Sequence, residues 1–479
     1  MNLEPANTLF ILSDEHNPRA MGGAGHPLAH TPNLDRLAAR GVRFTNAYTP
    51  SPVCVPARAS LATGRWVHEI GYWDNATGYD GRVPGWGHTL LAAGHRVESI
   101  GKLHYRSAAD PTGFGAQHES MHLQDGIGQV WGSVRDPMPE TVGPSPLFDK
   151  LGAGKSAYNR YDERIADAAV GWLDERARHP DSRPWVLFVG FVAPHFPLVV
   201  PEAYLAHYSL ARIPLPKLLL QNGYVRHPWV ERNARHCDHD AALGTDDRRR
   251  LAIACYLGLV TFLDEQIGRS LQTLEQSGLA ASTRVVYTSD HGDNLGARGM
   301  WNKCLLYRES TAVPMIISGP GLPAGAIRRT NVNLVDIHPT LLQGAGLSPD
   351  PELPGRSLLE LAGEPDDPER IGFSEYHAVG AASSAFALVR DHFKYHYYVG
   401  YAPELFDLAA DPEEMHDLAG DPAQRSRLAA FERILRQLLD PEAVDRRAKD
   451  DQNALAARFG GRDIALRTGT PGATPAPFQ

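Results

Sequence analysis

Runs of apolar, β-branched residues alternate with helical patterns along most of this 479-residue chain. That alternation constrains it to an α/β fold with a largely parallel sheet. The stretch Asn7-Thr8-Leu9-Phe10-Ile11-Leu12-Ser13 reads as a first strand buried on both faces. Further strands are expected at Arg96–Ile100, Trp185–Val192, Arg284–Thr288 and Val313–Ile317. Between them, Tyr161–Ala177 and Asp246–Gln276 carry apolar residues at helical spacing. A shorter helix is expected after Thr31, with Pro32 in its first turn, Leu34, Leu37 and Ala38 on its inner face, and Gly41 past its end.

The pattern changes after about Asp336. Ala385–Arg390 and Phe393–Tyr398 flank the polar pair Asp391-His392, which predicts a β-hairpin. Pro403 to Pro412 reads as a turn-rich connector, and Ala423–Leu439 as a helix with Leu428, Phe431, Ile434 and Leu438 on one face. Thr468 to Gln479 is rich in Pro, Gly, Ala and Thr and reads as an extended arm. The expected architecture is a large mixed, mostly parallel sheet sandwiched by helices, followed by a smaller C-terminal α+β subdomain. The expected boundaries are 1–365 for the large domain, 366–445 for a subdomain with a small antiparallel sheet and a helix, and 446–479 for the arm.

Composition excludes several classes. Four cysteines are too few for a disulfide-stapled fold. A net charge of −9 argues against a nucleic-acid partner. No apolar run approaches the ~20 residues that cross a bilayer, so no membrane partner is expected. The first fourteen residues lack a basic segment before their short apolar run, which leads to the expectation of a cytoplasmic location.

Chemistry-bearing residues recur directly after the expected strands, where open α/β sheets bind ligands. Asp14 ends the first strand, and Asp290 and His291 follow the run at Val285-Val286-Tyr287. These are oxygen and nitrogen ligands suited to one divalent cation. Lys102 and His104 follow the strand at Arg96, and His195 follows the strand at Trp185. Lys303 lies twelve residues beyond His291. Only seven of the 47 basic residues are lysines, which gives Lys102 and Lys303 added weight. In Cys54-Val55-Pro56-Ala57-Arg58, proline suits a first helical turn, so Cys54 is expected at a helix N-terminus with Arg58 one turn on. A helix start beside a guanidinium favours a bound anion.

Together these segments resemble the type I, formylglycine-dependent sulfatases of the alkaline phosphatase superfamily. The resemblance is to the bacterial branch of arylsulfatases, choline sulfatases and phosphonate monoester hydrolases. It rests on Thr31-Pro32-Asn33-Leu34-Asp35, on Cys54 to Arg65, on Ser289-Asp290-His291-Gly292, on Val335 to Thr340 and on Glu404 to Leu408. It implies that Cys54 is converted to formylglycine by a formylglycine-generating enzyme. It implies that Asp14, Asp290 and His291 hold a metal with that residue, Ca²⁺ being the expected ion and Mn²⁺ the alternative. Arg58 and Lys102 would then stabilise the nucleophile and the substrate anion. His104 would accept the second hydroxyl's proton, and His195 and Lys303 would serve the leaving group. Asn75 matches a sulfuryl-contacting asparagine, and Tyr105 is a further substrate-binding candidate. Glu15 departs from the family, which carries Asp or Gln there, and Ala57 stands where many members have Ser or Thr.

The function this implies is hydrolysis of aryl or small alkyl sulfate monoesters through a covalent sulfo-enzyme intermediate. The alternative is a phosphonate monoester or phosphodiester hydrolase using the same site. A binding protein that lost the chemistry would need a broken site, and every matched position holds a competent residue. A homo-oligomer, dimer or tetramer, is expected. Trp73, Trp131, Tyr72 and Phe196 join Tyr105 as candidate walls of the leaving-group pocket. Cys237, Cys255 and Cys304 read as ordinary thiols.

Overall fold

The structure is a computed structural model that describes residues 3–140, 146–236 and 239–477. Cys237 therefore lies outside the described residues. The strands that build the main sheet are β1 (Asn7–Asp14), β2 (Gly41–Phe44), β3 (Arg96–Lys102), β4 (Ala116–Met121), β5 (Trp185–Pro194), β6 (Thr283–Ser289), β7 (Met315–Ser318) and β8 (Ala326–Arg328). Their order across the sheet is β8-β2-β7-β6-β1-β5-β3-β4. Strand β7 runs antiparallel to both of its neighbours, and the remaining pairs are parallel. The alkaline-phosphatase-like α/β class expected from the sequence is the one observed.

The continuous apolar runs reflect burial on both faces. In β1, Leu9 and Ile11 pack into one core cluster while Phe10 and Leu12 pack into the other. In β5, Leu187 and Val189 face the first cluster, and Val186 and Phe188 face the second. The first face is covered by helices α1 (Pro32–Ala39), α3 (Ala157–Arg178) and α5 (Asp246–Gln276). The second is covered by α2 (Cys54–Thr63) and α6 (Ile337–Gly344). Each fully buried Leu, Ile or Phe contributes about 1.5–3 kcal/mol, so these clusters hold the strand ends in fixed register. Helix α5 is long and apolar enough to cross a membrane, yet its apolar face is buried against α3 and the sheet.

The second unit is a four-stranded antiparallel sheet, β9 (Gly372–Tyr376), β10 (Ala385–Arg390), β11 (Phe393–Tyr398) and β12 (Glu404–Asp407), in that order. The expected hairpin turns at Asp391, which adopts φ 53°. Helix α7 (Arg425–Leu438) packs Phe431 and Leu435 onto this sheet.

Several local expectations are refined or corrected. Gly41 lies just past the end of α1, as expected, and is also the first residue of β2. A Cβ there would come within 2.1 Å of the Ile317 carbonyl oxygen, so close strand approach is what demands glycine. The expected connector at Pro403 to Pro412 contains β12, because Glu404 to Asp407 complete the ladder with β11. Leu438 is 45% exposed, and Leu435 is buried in its stead on the inner face of α7. The arm expected from residue 446 is instead helical at first, since α8 (Pro441–Arg458) is capped by Asp440 and runs through that point. Beyond it, residues Gly469 to Thr474 line a central cavity of the same chain.

Candidate active site

The four consecutive strands β6-β1-β5-β3 are mutually parallel, so their carboxyl ends lie side by side. They deliver Asp290 and His291, Asp14, His195, and Lys102 with His104 to one place. The N-terminus of α2 adds Cys54 as its first residue, after Val53 in an extended conformation. Pro56 falls in the first turn, where its missing N–H costs nothing. Two residues at these strand ends, Glu15 (φ 70°) and His104 (φ 59°), occupy the left-handed region. Such conformations cost roughly 1–2 kcal/mol each for a non-glycine residue, and here they turn side chains into the site.

Asp14, Cys54, Asp290 and His291 are all buried, and their ligand atoms lie within 4.8 Å of one another. Cys54 Sγ is 3.3 Å from His291 Nε2 and 3.9 Å from Asp14 Oδ1. His291 Nε2 is 3.9 Å from Asp14 Oδ1 and 3.6 Å from Asp290 Oδ1. His291 Nδ1 donates to the Gly292 carbonyl at 3.0 Å, which leaves Nε2 as the bare nitrogen facing the cluster. Arg58 clamps both carboxylates, Nη2 to Asp14 Oδ2 at 2.9 Å and Nε to Asp290 Oδ2 at 2.8 Å. Lys102 Nζ meets Asp14 Oδ2 at 2.7 Å. Thus the outer oxygens are taken by cations while Asp14 Oδ1 is left facing the cluster. Donor separations of this size match the edges of a coordination shell with ligand distances of about 2.3–2.6 Å, so the residues present fit a divalent cation.

Burial opposes every charge here, and the partners decide the outcome. Burial alone would raise Asp14, but Lys102, His195 and Arg58 hold its carboxyl well below the usual range. Burial pushes the Cys54 thiol up to about 11, and Asp14 adds to that. An unmodified Cys54 is therefore a protonated thiol rather than an activated nucleophile. Glu15 is raised well above its ordinary value by burial, against the pull of Lys303 at 3.2 Å. His104 is depressed well below its usual value by burial, then by Lys102 and Arg58, and is a neutral imidazole. Burial and Lys303 do the same to His195, whose Nδ1 donates to the Phe196 carbonyl at 2.7 Å.

A cavity of about 470 Å³ opens in front of this cluster. Cys54, Asn75, Lys102, His104, His195 and Lys303 line it, whereas Asp14, Arg58, Asp290 and His291 lie behind Cys54. Asn75 accepts the Val55 N–H through Oδ1 at 3.0 Å, which ties it to the start of α2. Trp131 and Phe196 are on the cavity wall. Tyr105 is not: its ring packs 4.9 Å from that of Tyr79 in the core, because the turn at His104 sends the next side chain inward. Tyr72 and Trp73 are also core residues, bonded to Asp80 and Asp451. Glu15 belongs to a second cluster with Asp14 and His195 rather than to the set with Asp290 and His291. Cys255 is in the core, while Cys304 lines the cavity with its thiol pushed up to about 12 by burial.

Sequence reasoning missed the C-terminal contribution. Thr474 Oγ1 is 2.9 Å from His104 Nε2, and Tyr158 donates to the Thr474 carbonyl. Gln129 and Trp131 donate to the carbonyls of Gly472 and Thr470 at 2.6 and 2.8 Å. The composition of this segment signals only irregular backbone, so no motif pointed to it.

A cationic cavity over a buried carboxylate–imidazole cluster, at the carboxyl ends of a mostly parallel sheet, is the architecture of an enzyme acting on anionic esters. The chain belongs to the sulfatase family, whose model matches residues 6–347. A second model, described as N-sulphoglucosamine sulphohydrolase, C-terminal, matches residues 296–440. The chain is 29% identical to the choline-sulfatase of Rhizobium meliloti (strain 1021) over 473 residues, 93% of this chain and 89% of that one. It is 29% identical to arylsulfatase K of Bos taurus over 434 residues, 85% and 77% of the two chains. Among solved structures, a phosphonate monoester hydrolase from Silicibacter pomeroyi superposes with a TM-score of 0.70 at 25% identity, covering 90% of this chain and 94% of that one.

Proposed function

We propose that the protein hydrolyses sulfate monoesters with a formylglycine at position 54 and one divalent cation, Ca²⁺ or alternatively Mn²⁺. The observation that carries this reading is the convergence of Asp14, Cys54, Asp290 and His291, with Cys54 alone among them facing the cavity. A buried thiol raised to about 11 is a poor nucleophile, and an oxygen at the same point answers both needs of the site. The cation would be held by Asp14, Asp290, His291 and that oxygen, and would supply charge stabilisation and a lowered hydroxyl pKa.

The chain's own residues have distinct tasks. Arg58 fixes the orientation of both carboxylates through its two hydrogen bonds. Lys102 and Lys303 present positive charge to the sulfuryl oxygens. One hydroxyl of the hydrated aldehyde would attack sulfur as the S–O bond to the alcohol breaks, the attacker's proton being lost and one proton reaching the departing oxygen from Lys303 or through His195, both on the cavity wall. His104, neutral and with an unpartnered Nδ1 among the described residues, accepts the proton of the second hydroxyl. With that proton removed, the carbon–oxygen bond to the sulfate ester would break, expelling sulfate and regenerating the aldehyde.

The test is sulfate release by protein whose conversion at position 54, which lowers the mass by about 18 Da, has been verified, together with metal analysis. Converted, metal-loaded protein that releases no sulfate from any aryl or alkyl ester overturns the reading. Protein co-produced with a formylglycine-generating enzyme is expected to exceed protein made without it. The likeness to a phosphonate monoester hydrolase supports a second reading, phosphonate monoesters as main substrate. The ratio of kcat/KM for phenyl sulfate and a phenyl phosphonate ester decides between them.

A further inference from the structure

Helices reach the cavity in two ways. Helix α4 (Pro228–His236) lines it directly, through Asn233 and His236, whereas α3 supplies none of the described lining residues. Yet α3 carries a fully buried carboxylate, Asp162, that has no task in the chemistry described so far. Its oxygens go to backbone: Oδ1 accepts the Val192 N–H and Oδ2 the Ala193 N–H, each at 2.8 Å. Burial raises this carboxyl to about 7, against those two hydrogen bonds and the pull of Lys102. A carboxylate held in so unfavourable a place calls for a function.

The end of β5 supplies one. The ladder of β5 with β3 stops at Gly101 opposite Gly190, and its ladder with β1 shifts register between Leu12 and Asp14. Val192 and Ala193 are buried just beyond, and their N–H groups go to Asp162 instead of to a neighbouring strand. The Val192 carbonyl in turn accepts the His195 N–H at 3.0 Å, closing a turn that ends on the histidine. One helical turn before Asp162, Tyr158 packs its ring at 77° to that of His195, with centroids 6.2 Å apart. Helix α3 therefore holds His195 at two points, once through its ring and once through the backbone that leads to it.

We infer that Asp162 is a positioning residue for the leaving-group step: by pinning the backbone before His195, it fixes where that imidazole meets the departing oxygen. This rests on the sulfatase reading above, which gives His195 its task. Asp162 acts only through His195 and touches no reacting atom. A carboxylate is required because its two oxygens accept both N–H groups. Asparagine accepts one and turns its own NH₂ toward the other.

The experiment measures kcat/KM of converted, metal-loaded enzyme for 4-nitrophenyl sulfate, whose phenol leaves readily, and for phenyl sulfate, whose phenol needs more assistance. Asp162→Ala is expected to lose about tenfold on phenyl sulfate and to stay within about threefold on 4-nitrophenyl sulfate. Asp162→Asn, which keeps one of the two bonds, should show the same preference with a smaller loss, and it carries the comparison if the alanine variant does not fold. In His195→Ala protein, Asp162→Asn should cause no further loss, because the group it positions is gone. Equal losses on both esters overturn the inference, as do losses that add fully to those of His195→Ala, or an Asp162→Ala enzyme with its full rate. An unaltered enzyme inert on every sulfate ester overturns the sulfatase reading and this inference with it. The other outcomes strike the inference alone.

Discussion

Two buried polar clusters in this molecule invite the same interpretation, and only one has the equipment for chemistry. In the C-terminal unit, His377 joins Glu375 through Nε2 at 2.8 Å and Ser384 Oγ through Nδ1 at 2.7 Å. By residue type and connection this is a serine–histidine–carboxylate triad. His68 adds a further bond to Glu375 at 3.0 Å. None of the three triad-like residues lines the central cavity, and no side-chain atom of the three lacks a partner. The cluster at Asp14 and Cys54 differs on both counts. It backs onto 470 Å³ of open volume, and His104 Nδ1 beside it makes no hydrogen bond among the described residues. Complete satisfaction marks a group that holds structure, and incomplete satisfaction beside open space marks one that awaits a ligand.

Four measurements break or sharpen that contrast. The largest effect is expected at Cys54→Ala, which should lower sulfate release by at least about 10³-fold while shifting Tm by no more than about 2–4 °C. A comparable loss of fold would move this cluster into the structural class. His377→Ala should do the reverse. Leaving Glu375 buried with one fewer donor should cost about 2–4 kcal/mol in denaturant unfolding, with kcat/KM little changed in the folded fraction.

Thr474→Val, which removes the hydroxyl beside His104 Nε2, should reduce kcat about two- to tenfold. Thr474 acts through His104, so its effect belongs in kcat rather than in KM, and Thr474→Ser should restore the rate. An equal change in both variants would assign the segment a packing role only.

The smallest effect concerns pH. Burial alone would raise Glu375, but His68 and the hydrogen bond from His377 hold it well below its ordinary value. Its folded value is depressed, so its contribution is fully present above the unfolded carboxylate range near 4.5. That contribution fades as the pH falls below this value. Glu375→Gln should therefore flatten the acid limb of the stability curve below about pH 4.5. An unchanged limb would remove the Glu375–His68 pair from the stabilising interactions.

Much of this was legible before folding is considered. Strand positions followed from continuous apolar runs, because a strand buried on both faces has no other way to be written. The strand-end positions of Asp14, Asp290 and His291, which with Cys54 form a cluster able to hold a cation, followed from the habit of α/β sheets to gather function at strand carboxyl ends. What was missed locally lay in residues with two possible uses. Gly41 follows a helix end and also makes a tight strand approach, and only Ile317 reveals the second. Leu435 and Leu438 fit the same helical stripe, and only packing against β11 selects the first.

The sequence by itself determined the class of fold, the placement of Asp14, Asp290 and His291 at strand ends, and the cationic residues around them, and the family resemblance added Cys54, at a helix start, to that set. Tertiary structure alone decided which of these face a substrate. It turned Arg58 onto the carboxylates of Asp14 and Asp290 rather than into the cavity, withdrew Tyr105 into the core, and brought Thr474 to His104. Those contacts join residues hundreds of positions apart, and no local periodicity or spacing encodes which of them will meet.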